Sequence, residues 1–423
     1  MSTTVPLQAA TISAAHLPAS ISTLRQVMQG KISILPLPQE PATGYPRSGQ
    51  AQSGPAAPNS PNLATLMSVD EPIEPGCLIA CTSGSTGTPK GAILHRSNLL
   101  ASITATETYL RTTFGTAPGA WLLALPAHHI AGLQVLLRSM HAGFTPIAAS
   151  HLVAGTPFTA ESFIADTRRL KTTHPTADLY TSLVPAQLHR LTSPQAVRAL
   201  SDYAAVLVGG AAANPELIRS LRAQGVHLTL TYGSSETSGG MVYNGRALPG
   251  ASIAITDPDP TTRSGRITLT GPMVARGYRN VDSRASFPSD GTFLTSDLGV
   301  LLPDATLSIH GRADGAVNIG GYKVLLEDVE RAARDHGVSQ GLTCALGVND
   351  ERFGEGVVLL IEANTAATPS DVTQRVRDQL RGKVERHLIP QRAWEVAELP
   401  MTGPGKIDRQ RAKAWVQTTL LTD

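Results

Sequence analysis

Short apolar runs alternate along the chain with longer stretches whose apolar residues recur at helical spacing. The runs at residues 78–81, 121–125, 179–183, 205–208 and 228–231 are mostly apolar or β-branched, as expected of strands covered on both faces. Strands separated by helical stretches predict an α/β fold with a mainly parallel sheet. From about residue 243 to residue 310 the pattern breaks into short β-prone pieces, including 266–270 and 292–294, separated by Gly, Pro and Asp. This predicts a β-rich subdomain. Beyond residue 311 come a helix at 326–336, strands at 342–348 and 356–362, and a long helix at 370–386. That order predicts a small α+β domain of a size usual for independent units. The expected division is a large amino-terminal domain, residues 1–313, and a small carboxyl-terminal domain, residues 314–423.

Residues 36–62 are dominated by Pro, Ala, Gly, Ser and Gln and have almost no large apolar side chain, which predicts a flexible surface segment. The most apolar stretch, residues 121–137, is interrupted by Pro126, His128 and His129. It is too short and too polar for a membrane span and reads as core. Lysine and arginine (35) barely exceed aspartate and glutamate (33), so no strong field draws the chain to nucleic acid or to an anionic membrane. Cys77, Cys81 and Cys344 form neither a zinc pattern nor a redox pair, and the first 17 residues lack the basic start and apolar run of a secretory signal. A reducing, cytoplasmic setting is expected. Whether the chain forms a homo-oligomer is left open.

The strongest local signal is Thr82-Ser83-Gly84-Ser85-Thr86-Gly87-Thr88-Pro89-Lys90-Gly91, which follows a predicted strand and precedes a predicted helix. Backbone N–H groups freed by glycines, several hydroxyls and one lysine form a cradle for phosphate oxygens. The spacing is not that of a Walker P-loop. With this segment the chain resembles the adenylate-forming superfamily of acyl-CoA synthetases, peptide-synthetase adenylation domains and luciferases. Further matches follow in the family's order: Tyr232-Gly233-Ser234-Ser235-Glu236-Thr237, Thr295-Ser296-Asp297-Leu298-Gly299, Gly311-Arg312-Ala313-Asp314 through Gly320-Gly321, and Gly403-Pro404-Gly405-Lys406-Ile407-Asp408-Arg409.

The resemblance implies a role for each. Thr82, Ser83, Ser85, Thr86, Lys90 and Ser235 would contact phosphate, Tyr232 would stack on adenine, and Gly209-Gly210 would form the adenine-side loop. Glu236 would support Mg²⁺, a hard cation suited to a carboxylate. Asp297, helped by Arg312, would accept hydrogen bonds from the vicinal ribose hydroxyls. Lys406 would reach the α-phosphate and the acid, and Asp314 would be the hinge of a mobile small domain. The implied chemistry joins a carboxylic acid to AMP from ATP and then passes the acyl group to a thiol, coenzyme A. Ser235, Ser296 and Met401 depart from the residues common in the family, but none of these changes removes a charged group.

The segment from Pro126 to Arg138 resembles the family's acyl-pocket helix, and in particular that of the bacterial 2-succinylbenzoate–CoA ligases of menaquinone biosynthesis. Such a dicarboxylate needs a partner for the carboxylate that is not activated. His129 and Arg138 are the candidates, with Ser234, Thr237 and Ser238 as polar contacts. The competing expectations are another aromatic or fatty acid, loading of a carrier protein, and nucleotide binding without catalysis.

Overall fold

The computed structural model describes residues 4–39, 62–82, 89–319, 322–339, 341–350, 354–363, 368–402 and 406–421. The chain divides into two compact units: Met1–Ala254 with Thr268–Leu294, and Ile255–Ile267 with Thr295–Asp423. The sequence pattern assigns the whole β-rich stretch to the large domain, whereas this division gives its strands to both units.

The first unit holds two sheets. In the seven-stranded sheet the order is Arg246–Ala247, Gly239–Tyr243, Leu228–Ser234, Ala205–Gly209, Leu179–Leu183, Ala120–Leu123 and Ile147–Ala148. All neighbours from Leu228–Ser234 onward are parallel. The helices between them have to lie on the faces of the sheet to make those crossovers. Ala160–Thr173 and Pro194–Ser201 supply Phe163, Leu170, Val197 and Leu200 to a core shared with Leu122, Leu179, Val206 and Val208. The five-stranded sheet has the order Pro72–Ile73, Val5–Thr11, Ser33–Leu37, Cys77–Thr82 and Lys90–His95.

Two local expectations change here. The phosphate-loop segment joins two antiparallel strands, Cys77–Thr82 and Lys90–His95, and the helix Arg96–Phe114 starts only afterwards. The run Gly91-Ala92-Ile93-Leu94 is apolar enough to pair along the full length of the buried strand before it. Of the stretch expected to be flexible, Pro36 and Leu37 belong to the strand Ser33–Leu37, and the Asn62 side chain caps the helix Leu63–Leu66. Residues 40–61 lie outside the described residues.

A four-stranded sheet runs Ser252–Thr256, Gly265–Thr270, Thr292–Leu301 and Leu307–Arg312. The second unit also contains a six-stranded sheet centred on Gly354–Glu362, which pairs antiparallel with Thr343–Asp350 and parallel with Arg392–Val396. Its side chains alternate between two cores: Val357, Leu359 and Ile361 pack with Val329, Ala333, Val376 and Leu380, while Val358 and Leu360 pack with Trp394, Ala412 and Val416. A continuous apolar run is what a strand covered on both faces requires.

The long helix expected at 370–386 is instead a short strand Ser370–Asp371, a helix Thr373–Leu380 and a single turn Arg386–Leu388. Asp371 Oδ1 accepts the Thr373 N–H at 2.8 Å, and bonds from Thr373 hold its carboxyl below the usual range. Gly382, at φ +74°, turns the chain out of the helix. Among the described residues no helix is long and apolar enough to cross a membrane.

Candidate active site

In the first unit the site is built where strands end. Thr82 and Lys90 face each other in register at the end of the hairpin that carries the phosphate loop. Ser83, Ser85 and Thr86 lie outside the described residues. The one-turn helix Ser235–Thr237 follows the strand Leu228–Ser234 and packs against both strands of that hairpin. It carries Glu236, only 7% exposed.

The Glu236 Oε1 atom accepts a hydrogen bond from the hydroxyl of Tyr278 at 2.8 Å, and the Lys90 ammonium lies 5.3 Å from the centroid of the same ring. The other Glu236 oxygen makes no hydrogen bond among the described residues. Among those residues no cluster of three His, Cys, Asp or Glu could hold a metal ion. A single buried carboxylate with one oxygen in reserve suits Mg²⁺, which takes one or two carboxylates and fills its shell with phosphate oxygens and water.

The adenine-side residues also share a sheet edge. Ala205–Gly209 and Leu228–Ser234 are parallel neighbours with Gly209 opposite Thr231, so Gly209, Gly210 and Tyr232 lie together at the carboxyl ends of the strands. Ligands of open α/β sheets bind at that edge. A Cβ at Gly233 would stand 2.0 Å from the carbonyl oxygen of Gly239, so the sharp entry to the Glu236 turn requires glycine there.

The acid-side candidates are not brought to one point. His129 is the residue before the helix Ile130–His141, while Arg138 lies near the end of that helix, roughly 13 Å further along at the usual helical rise. Arg138 is 4% exposed; its Nη2 donates to Thr106 Oγ1 at 3.1 Å and its guanidinium lies 5.4 Å from the Trp121 ring centroid. The Thr237 hydroxyl donates to Gly239 O at 2.7 Å and accepts from Ser234 N at 2.9 Å. The Ser238 hydroxyl donates to Met273 O at 2.8 Å, with the residue fully buried. Both hydroxyls therefore shape the turn. The Ser234 hydroxyl is buried without a hydrogen-bond partner among the described residues. Burial lowers the pKa of His128, whose ring centroid is 4.2 Å from that of His129.

In the second unit Asp297 and Arg312 are cross-strand partners, Oδ1 to Nη1 at 3.7 Å. A partly exposed pair of this kind adds about 1 kcal/mol or less to stability, so its importance lies in presenting acceptor and cation together. Asp314 sits in the three-residue turn Ala313–Gly315 between the strands Leu307–Arg312 and Ala316–Ile319. Lys406 is exposed; its backbone N–H donates to Thr402 Oγ1 at 3.3 Å and its carbonyl accepts from Thr402 N at 2.7 Å. Arg409 anchors this segment through Ala345 O at 2.6 Å and Glu330 at 2.8 Å. Burial pushes the Glu330 carboxyl up, and Arg409 opposes the rise.

Sequence reasoning missed Tyr278 and Asn280. The Asn280 side chain accepts from Gly91 N at 3.0 Å and donates to Pro89 O at 2.8 Å, bracketing Lys90. The signal was the run Arg276-Gly277-Tyr278-Arg279-Asn280, an aromatic residue among polar ones inside the β-rich stretch.

Residues 17–279 match the family described as AMP-binding enzyme. A probable 2-succinylbenzoate–CoA ligase of Mycobacterium tuberculosis is 38% identical over 340 residues, covering 78% of this chain and 82% of the relative. ATP-bound MatB from Rhodopseudomonas palustris superposes with a TM-score of 0.67 at 25% identity, over 80% of this chain and 68% of that one. The o-succinylbenzoate CoA synthetase of Bacillus subtilis, in complex with its acyl-adenylate intermediate, shares the fold at a TM-score of 0.65 and 22% identity, over 79% of this chain and 68% of that one.

Proposed function

This chain belongs to the AMP-binding enzyme family, and from that premise we propose that it is the ligase that joins 2-succinylbenzoate to coenzyme A in menaquinone biosynthesis. In the first half-reaction a carboxylate oxygen attacks the α-phosphorus of ATP, and the bond to pyrophosphate breaks. In the second the coenzyme A thiol attacks the acyl-adenylate carbonyl and loses its proton, and AMP leaves. The observation that carries this reading is the juxtaposition of Lys90, Tyr278 and Glu236 at the start of the strand that follows the phosphate-loop segment, in a chain whose relatives are acid–CoA ligases.

Two anions must approach in the first step, so the positive charge of Lys90 and Lys406 is worth several kcal/mol there. Mg²⁺ held by Glu236 would neutralise triphosphate charge. Gly209, Gly210 and Tyr232 hold the adenine, and Asp297 with Arg312 the ribose. The small domain, residues 314–423, turns about Asp314 between the half-reactions and brings Lys406 to the first.

For the acid, the ring carboxylate is held by His129 and Ser234, with the amino-terminal end of the helix Ile130–His141 adding its dipole, and the succinyl carboxylate is activated. The setting is cytoplasmic and the partners are small molecules. The test is kcat/KM, with ATP, Mg²⁺ and coenzyme A, for 2-succinylbenzoate, its analogue without the ring carboxylate, benzoate and a medium-chain fatty acid. The dicarboxylate should lead. A fatty acid or benzoate outperforming it would overturn the substrate while leaving the adenylate-forming chemistry in place.

A further inference from the structure

Tyr278 joins the two charged groups at the phosphate end of the site, although it lies outside the sequence motifs described above. Its hydroxyl donates to Glu236 Oε1 at 2.8 Å and its ring centroid is 5.3 Å from Lys90 Nζ. The ring is itself fixed. It is buried, and Phe287 meets it edge-on with centroids 5.1 Å apart.

The backbone around Tyr278 is stitched to the same two elements. Ala275 N donates to Glu236 O at 2.7 Å, Arg276 N to Ile93 O at 3.0 Å, Ile93 N to Gly277 O at 2.9 Å and Arg279 N to Gly91 O at 2.8 Å. Asn280 adds the two side-chain bonds to Pro89 and Gly91. Residues 275–280 thus form a brace between the Glu236 turn and the strand that starts at Lys90.

From this arrangement we infer that Tyr278 is a positioning residue for the adenylation step: its hydroxyl orients the Glu236 carboxylate for the metal ion, and its ring holds the Lys90 ammonium beside it. The inference depends on the ligase reading above. A donated hydrogen bond fixes the carboxylate torsion and occupies one oxygen, leaving the other to face the cation. The negative face of an aromatic ring attracts an ammonium without neutralising it, so the lysine keeps its charge for phosphate.

Tyr278→Phe removes the hydroxyl and keeps the ring against Phe287. Binding of Mn²⁺ to the enzyme–ATP complex, followed by electron paramagnetic resonance, should weaken about tenfold, the scale of one lost hydrogen bond to a charged group. The Mg²⁺ half-saturation of adenylation should rise in parallel. Thioester formation from preformed acyl-adenylate should stay within about twofold, and the melting temperature should fall by only a few degrees, because the ring packing is retained and one buried hydrogen bond is lost. Tyr278→Leu should in addition weaken ATP binding, through loss of the ring beside Lys90.

Glu236→Gln separates the two levels of inference. If it weakens metal binding and Tyr278→Phe does not, the positioning role is overturned and the ligase reading stands. If neither variant shifts metal binding, the metal role of Glu236 fails and the inference falls with it. Equal loss of both half-reactions in Tyr278→Phe with a melting temperature lowered by more than a few degrees would make the hydroxyl a purely structural group, and ATP affinity equal in the Phe and Leu variants would overturn the Lys90 half of the proposal.

Discussion

Replacing Arg138 by Met should change stability by no more than about 2 kcal/mol in either direction and leave substrate choice nearly unchanged. A guanidinium that is 4% exposed carries a desolvation cost of several kcal/mol. Against that, its bond to Thr106 Oγ1 at 3.1 Å is of the charged kind, about 1.5–3 kcal/mol, and the contact with Tyr243 at 3.4 Å is weak. The Trp121 ring at 5.4 Å adds about 0.5–2 kcal/mol. Met fills similar length and offers a sulfur contact to the same indole. Thr106 and Tyr243 are already bonded to each other at 3.0 Å, so neither hydroxyl is orphaned when the arginine goes.

These opposing amounts leave Arg138→Met within about 2 kcal/mol of the parent, read by urea unfolding. Because Arg138 lies two and a half helical turns from His129, the ratio of kcat/KM for 2-succinylbenzoate to that for the analogue without the ring carboxylate should move by no more than about twofold. A drop of that ratio by more than about tenfold in a stable variant would refute the reasoning and make Arg138 the partner of the ring carboxylate. A loss of stability above about 4 kcal/mol would show instead that Glu107, whose carboxyl burial pushes up while His141 and Arg138 oppose the rise, had been left without a needed counter-charge.

Lys406→Ala should lower adenylation by about a hundredfold or more, the scale of a lost transition-state charge, and leave thioester formation from preformed acyl-adenylate within about twofold; equal losses in stopped-flow assays of the two steps would remove the division of labour. Gly233→Ala should destabilise by about 2 kcal/mol or more, since its Cβ would press on the Gly239 carbonyl at 2.0 Å; an unchanged unfolding midpoint would show that the turn can relax. Burial lowers the pKa of His128 and of His151, the latter against the opposing charge of Asp166. A depressed histidine pKa means the unfolded chain binds more protons just below the ordinary value, so stability is full above that value and declines as pH falls through the depressed one. The melting temperature should therefore decrease from about pH 7.5 to 5.5 and decrease less in His151→Gln, with a flat profile in the parent counting against it.

What the sequence determined by itself was local. The strand at 179–183 is found at those residues, and the alternation of apolar runs with helical stretches sufficed for the α/β class, because burial on both faces of a parallel sheet imprints itself on consecutive residues. The phosphate-loop motif and the run from Tyr232 to Thr237 were legible for the same reason: turn chemistry and hydroxyl spacing are set within a few residues.

The tertiary structure decided whatever depends on which distant segments meet. Lys90 and Tyr278 lie far apart in the sequence, and the brace between them is made largely of backbone hydrogen bonds, which any residue but proline can form and which therefore leave no mark in the side-chain pattern. The expected helix at 370–386 broke because Asp371 and Gly382 satisfy backbone geometry that periodicity does not register. His129 and Arg138 stood as nearby candidates in sequence; helix rise placed one at the entry to a buried helix and the other near its far end. Separation along a rigid element, and the identity of the groups enclosing a buried charge, are properties of packing, and packing is fixed only when remote parts of the chain close on one another.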